Sequence, residues 1–167
     1  MEKNTPRPSK NGANPKDFMI LISHRGNTNG PNPELENTLE YINSAIGAGY
    51  ECEIDLWVND GTLFLGHDAP IHSIDLEQIR KLAGHLYIHA KNADAVEYLI
   101  KHDWYGYNFF MHDKDPYVLT SRGEAWCYPS KMAIPYGINL MPEWNNLTKQ
   151  DLKDCYGVCS DYIGRYK

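Results

Sequence analysis

The stretch YECEIDLWVNDGTLFLGHD, Tyr50 to Asp68, constrains this chain more than any other. It is apolar enough for a buried strand, yet it carries Glu51, Glu53 and Asp55 in its first half and His67-Asp68 at its end. An ionised carboxylate is among the costliest groups to bury unpaired. Strand geometry offers a resolution, because side chains alternate between faces: Glu51, Glu53 and Asp55 share one, and Cys52, Ile54 and Leu56 share the other. The apolar face packs, and the charged face needs a cation, a ligand or water. Asn59-Asp60-Gly61 then predicts a tight turn into a hairpin partner, TLFLGHD.

The rest of the chain alternates in type. FMILIS, Phe18 to Ser23, reads as a strand buried on both faces and ending at His24-Arg25-Gly26. Asn37-Thr38-Leu39-Glu40 reads as a capping box before a helix carrying Leu39, Ile42 and Ile46, stopped by Gly47 and Gly49. Asp75-x-x-Gln78 caps a second helix through Leu82, Leu86 to Lys91 forms the next strand, Asp94-x-x-Glu97 begins a third helix, and YNFFMH is a further strand. Beyond Asp113 the helical period fades into short strands, until Thr148-x-x-Asp151 starts one more helix and YGVCSDYI supplies a last strand. Alternating βα units imply a parallel sheet with covering helices. An eight-unit barrel usually takes about 200–250 residues, and this chain has 167. A closed barrel and an open doubly wound sheet both fit this pattern, and the chain could close only a compact, trimmed TIM-type (β/α) barrel with outer helices missing from its C-terminal half. Residues 1–17, rich in Asn, Pro and Lys, read as a flexible leader, and 18–167 as one barrel domain.

Composition excludes some partners. A net charge of −6 gives no bulk attraction to nucleic acid. No apolar run reaches the roughly 18 residues of a membrane span. Cys52, Cys127, Cys155 and Cys159 form no CxxC pair, and Cys52 lies on the apolar strand face as a structural thiol, so a reducing, cytoplasmic setting is expected.

Polar residues gather instead at strand ends: His24 and Arg25, Glu53 and Asp55, His67, His89 and Lys91. In parallel α/β architectures ligands bind where those ends converge. Two carboxylates on one face form a hard oxygen pocket for a divalent cation. Two histidines titrate near neutral pH, so one can accept a proton while the other donates one. Arg25 and Lys91 suit the charge that builds on a phosphoryl group in transit. Together these residues form a phosphodiester-cleaving set.

The motifs SHRG (Ser23 to Gly26), ENT (Glu36 to Thr38), EID (Glu53 to Asp55) and GHD (Gly66 to Asp68) occur in an order and spacing that resembles the glycerophosphodiester phosphodiesterases. These belong to the wider phospholipase-C-like phosphodiesterase superfamily, and the chain is similar within it to a subgroup of small proteins sharing HRGN, EIDxW, IHAKN and CSDYI. The resemblance covers about the first half of the chain. It implies a TIM-type barrel, His24 and His67 as catalytic acid and base, Glu53 and Asp55 as metal ligands, and in-line attack on phosphorus, often through a cyclic phosphate. Where that family has Glu-x-Lys on the third strand, this chain has His89-Ala90-Lys91. His89 either joins the metal shell and moves preference toward Mn²⁺ or Zn²⁺, or leaves the site one ligand short. The expected cofactor is a divalent ion, Mg²⁺, Ca²⁺ or Mn²⁺, with Zn²⁺ a further candidate. The expected substrate is a glycerophosphodiester-like small molecule or a lipid head group. Two alternatives stay open, a lyase that stops at the cyclic phosphate and a phosphate-ligand-binding protein with weak or no turnover.

Several residues have two readings. Glu36 stands either at the site edge or as a loop carboxylate before the helix cap, and His112 either lines the pocket or ends a strand. Glu51 is set outside the site as the partner of a base from another strand. His72, His85 and His102 read as surface groups. Trp57, Trp126 and Trp144 read equally as a ligand wall or as packing.

Overall fold

The computed structural model describes residues 19–103, 106–129 and 132–167. The expected leader over 1–17, and Phe18 at the start of the first expected strand, lie outside the described residues. In chain order the elements are β1 (Ile20–His24), α1 (Leu39–Gly47), β2 (Glu51–Asn59), β3 (Thr62–Leu65), β4 (His72–Ile74), α2 (Leu76–Leu82), β5 (Leu86–Ala90), α3 (Ala93–Asp103), β6 (Phe109–Phe110), β7 (Tyr117–Leu119), β8 (Ala125–Cys127), β9 (Ile138–Leu140) and β10 (Gly157–Ser160).

Local chemistry accounts for most boundaries. The hairpin between β2 and β3 turns at Asp60 and Gly61, both at positive φ (49° and 76°), with Asn59 paired to Thr62. Those are the angles that a twist-matched two-residue hairpin requires. Gln78 closes the start of α2 by accepting from the Asp75 N–H at 2.9 Å. The cap of α1 is Thr38, whose hydroxyl accepts from Tyr41 N at 3.3 Å, and not the expected Asn37. Asn37 is engaged elsewhere. The cap of α3 is Asn92, accepting from Ala95 N at 3.0 Å, so the helix starts ahead of the expected Asp94. The helix expected from Thr148 does not form. Asp151 Oδ2 accepts from both the Thr148 N–H (2.7 Å) and hydroxyl (2.6 Å), and these local bonds hold a run of turns.

The expected TIM-type barrel is corrected by the sheet itself. All ten strands join one mixed sheet that curls into a half-barrel, with three α-helices among the described residues. Its spine is the parallel run β6-β5-β2-β1-β10-β9-β8, with β7 antiparallel on β8. The long strand β2 keeps β5 on one edge, while its other edge pairs first with β1 and then, from Leu56, with antiparallel β3, which carries β4. Strand and helix cease to alternate after α3. The connections that follow carry Pro116, Pro129, Pro135 and Pro142, and they run as turns, a short antiparallel strand and a 3₁₀ turn at Pro142–Asn145. Between the sheet's far edges, Ser121 N–H donates to Phe109 O at 2.7 Å, in place of a strand ladder among the described residues.

Period-two alternation decides what each face buries. The outward residues Cys52, Ile54, Leu56 and Ile88 pack under Ile42 of α1, Ile79 of α2 and Leu99 of α3. The concave face is apolar at its floor, where Ile22, Tyr87, Phe110, Trp126, Ile138 and Cys159 cluster. One step further along β1 and β5 and past the ends of β6 and β10 it turns polar, at His24, His89, His112 and Asp161. The four cysteines are buried and unpaired. Among the described residues no helix is long and apolar enough to cross a membrane.

Candidate functional site

Register assembles the site. Parallel pairing sets His24 of β1 beside Glu53, and His89 of β5 beside Asp55. Since Glu53 and Asp55 share a face, all four side chains meet at the upper rim of the concave face. Glu53, Asp55 and His89 each present a ligand atom within 4.8 Å of the others. The apolar floor beneath them lowers the local dielectric and magnifies every charge contact above it.

Asp55 is the most heavily engaged member and is wholly buried. Its Oδ2 accepts from Asn37 Nδ2 at 3.0 Å and lies 3.0 Å from Arg25 Nε. Its Oδ1 is approached by His89 Nδ1 at 3.1 Å and Lys91 Nζ at 3.3 Å. Burial works against its ionisation, but His89, Arg25 and Lys91 outweigh it and hold the carboxyl well below the usual range. Glu53 has the opposite environment. Burial and the neighbouring Asp55 push its carboxyl upward, and its Oε2 has no hydrogen-bond partner, with His24 Nε2 still 3.9 Å away. A buried carboxylate oxygen without a donor is costly. A cation beside it removes that cost, so this donor set fits a divalent ion held by Glu53, Asp55 and His89.

His24 is fixed by a residue that the sequence reading missed. Asp161, directly after β10, accepts from His24 Nδ1 at 2.8 Å, which leaves Nε2 facing the pocket. Asn27 Nδ2 donates to Asp161 Oδ1 and to Glu36 Oε1, both at 2.8 Å, and Glu36 Oε2 accepts from Arg25 Nη1 at 3.2 Å. Glu36 thus anchors the first-strand loop from behind. An acid at the carboxyl end of a parallel strand is the signal that marks Asp161, the same signal that marks His24. Arg25, Asn37 and Met141 hold left-handed φ of 56°, 61° and 46° there, a cost that non-glycine residues bear mostly where tertiary contacts dictate the geometry. Gly26 takes φ 93° under Tyr41, where a Cβ would stand 2.7 Å from the ring.

His67 sits on the turn after β3. Gly66, at φ 151°, donates its N–H to Asp55 O at 3.2 Å, and its carbonyl accepts from Trp57 Nε1 at 2.7 Å. Trp57 therefore braces the turn from outside the pocket lining. His67 Nδ1 lies 2.7 Å from Asp68 Oδ1, and burial together with Arg25 lowers its pKa. His24, Arg25, Glu53, His67, His89, His112 and Asp161 open onto one pocket of about 370 Å³, whose opposite wall is Phe110, Trp126, Tyr128, Pro129, Leu140, Met141 and Trp144. Asp55 and Lys91 are absent from that lining, Asp55 lying buried behind Glu53 and His89 and Lys91 reaching the site through Asp55. His112 lies flat on His89, ring centroids 4.7 Å apart at 2°, and burial with His89 and Lys91 pushes it down to about 4. Glu51, as expected, is outside the site and pairs with His85 Nδ1 at 3.2 Å.

Comparison of the chain with protein-family models, with curated proteins and with solved structures gave no match.

Proposed function

We propose that the protein is a metal-dependent phosphodiesterase acting on a glycerophosphodiester-like small molecule or a lipid head group. The observation that carries this reading is convergence: His24 and His67 open onto the same pocket as Glu53 and His89, with Asp55 buried directly behind those two. When bound there, a divalent cation draws electron density from a phosphoryl oxygen. Arg25, anchored by Glu36 and Asp55, meets the negative charge on the equatorial oxygens. His67, whose protonated form is disfavoured, takes the proton from the attacking hydroxyl. His24, aimed by Asp161, returns a proton to the leaving oxygen through Nε2. Four buried, unpaired cysteines fit a reducing, cytoplasmic setting.

The test is a panel of phosphodiesters followed by phosphorus NMR with Mg²⁺, Ca²⁺, Mn²⁺ or Zn²⁺. Cation-dependent cleavage that falls about 10²- to 10⁴-fold in His24→Ala and in His67→Ala is the expected result. A cyclic phosphate as the final product converts the reading to a lyase. Turnover equal in wild type and both variants across the panel overturns it in favour of a ligand-binding protein.

A further inference from the structure

We infer that the Glu53, Asp55 and His89 cluster selects a borderline divalent cation of the Zn²⁺ class over Ca²⁺ and Mg²⁺. This rests on the metal-dependent reading above and specifies its cofactor. Three observations carry it. The first is the number of oxygen donors. Asp55 Oδ2 is taken by Asn37 and Arg25 and Oδ1 already faces His89 Nδ1 and Lys91 Nζ, so Asp55 offers a cation at most Oδ1, and Glu53 supplies the other carboxylate. Ca²⁺ takes about 6–8 oxygen ligands and Mg²⁺ a near-ideal octahedron rich in retained water. Such hard ions gain little here from a cluster whose third donor is a nitrogen.

The second observation is how firmly that nitrogen is presented. The His89 ring lies parallel to Phe110 (5.1 Å, 9°) and to His112 (4.7 Å, 2°). Its Nδ1 edge is thereby aimed at the carboxylates, 3.1 Å from Asp55 Oδ1 and 4.0 Å from Glu53 Oε1. A preorganised imidazole is the donor that Zn²⁺ accepts readily and Ca²⁺ does not. The third observation is Glu53 itself, almost wholly buried with Oε2 lacking any hydrogen-bond donor. A low-coordinate ion satisfies that oxygen without the wide oxygen cage that Ca²⁺ demands.

The experiment is titration calorimetry of the metal-free full chain with each chloride salt alone, with Co²⁺ added as a spectroscopic probe. Zn²⁺ should bind at least about tenfold more tightly than Ca²⁺. The margin should shrink about tenfold or more in His89→Glu, which replaces the nitrogen by oxygen. Co²⁺ should shift an imidazole resonance that is missing from spectra of His89→Gln, a readout that does not depend on how His89→Glu folds. Ca²⁺ binding as tight as Zn²⁺, or Co²⁺ bound with no shifted His89 resonance, overturns this inference and leaves the phosphodiesterase reading standing. If no cation binds the wild-type chain, the metal-dependent reading fails with it.

Discussion

At the scale of single residues, Glu53 and Asp55 show how position decides the behaviour of identical chemistry. Asp55 is surrounded by cations and amides, while Glu53 is buried against Asp55 with an oxygen that nothing donates to. In EDTA, Glu53→Gln should therefore raise stability at pH 7, by about 1–3 kcal/mol, because it removes a buried charge, and the urea midpoint measures this. The same variant should lose cation binding, so stability and function trade against each other at this position. Asp161 supplies a pH-dependent test. Its carboxyl is held below its ordinary value because His24 and Asn27 outweigh burial. The stabilisation is then fully present above the unfolded value of about 3.9 and is lost as pH falls through the lower folded value. The gap in urea midpoint between wild type and Asp161→Asn should be present at pH 5 and close as the pH falls below about 4. Which residues gather was legible from type and spacing, since His24, Glu53, Asp55, His67 and His89 each sit on or just after a strand at one face. Asp161 and Asn37 were harder to read, because their roles depend on partners far away in sequence, which only the register of β10 against β1 and of α1 against β2 brings near.

Elements were legible where local chemistry alone fixes them. The Asp60-Gly61 hairpin and the Asp75 cap need no tertiary help. The α1 cap shifted from Asn37 to Thr38 because the Asn37 amide is worth more when it binds the buried Asp55 than when it caps an exposed turn. The turn at Gly66 is the element on which His67 depends. Gly66→Ala meets both a left-handed φ and a clash of the new Cβ with the Ala69 carbonyl. It should cost about 1–3 kcal/mol and, by moving His67, reduce turnover more than it reduces cation affinity; paired calorimetry and kinetics separate the two. On the outer face of β2, Ile54 is fully buried beneath the helices. Ile54→Ala should destabilise by about 2–5 kcal/mol, read from urea unfolding, while the cation preference of the folded fraction stays unchanged.

At the scale of the whole molecule, the curl of the sheet creates the site. Parallel strands point their carboxyl ends to one rim, and an apolar plug of Ile22, Tyr87, Trp126 and Ile138 fills the space below, so polar side chains have one concave place to meet. The sequence pattern predicts a parallel sheet and loses the rest of the architecture after α3. Two- and three-residue strands carry too few alternating positions to fix their partners or direction, and β4 has no local signature that separates it from the turn before it. The half-barrel is for that reason a result of long-range pairing, and its consequence is the gathering of groups from distant parts of the chain around one pocket. Titration of the ¹⁵N-histidine-labelled chain with Mn²⁺ tests that gathering directly, since the ion broadens nearby imidazole signals. The account predicts that His24, His67 and His89 broaden together at substoichiometric Mn²⁺, while His102 in the last turn of α3 persists. Broadening confined to other histidines, with the His24 and His67 signals intact, would contradict it.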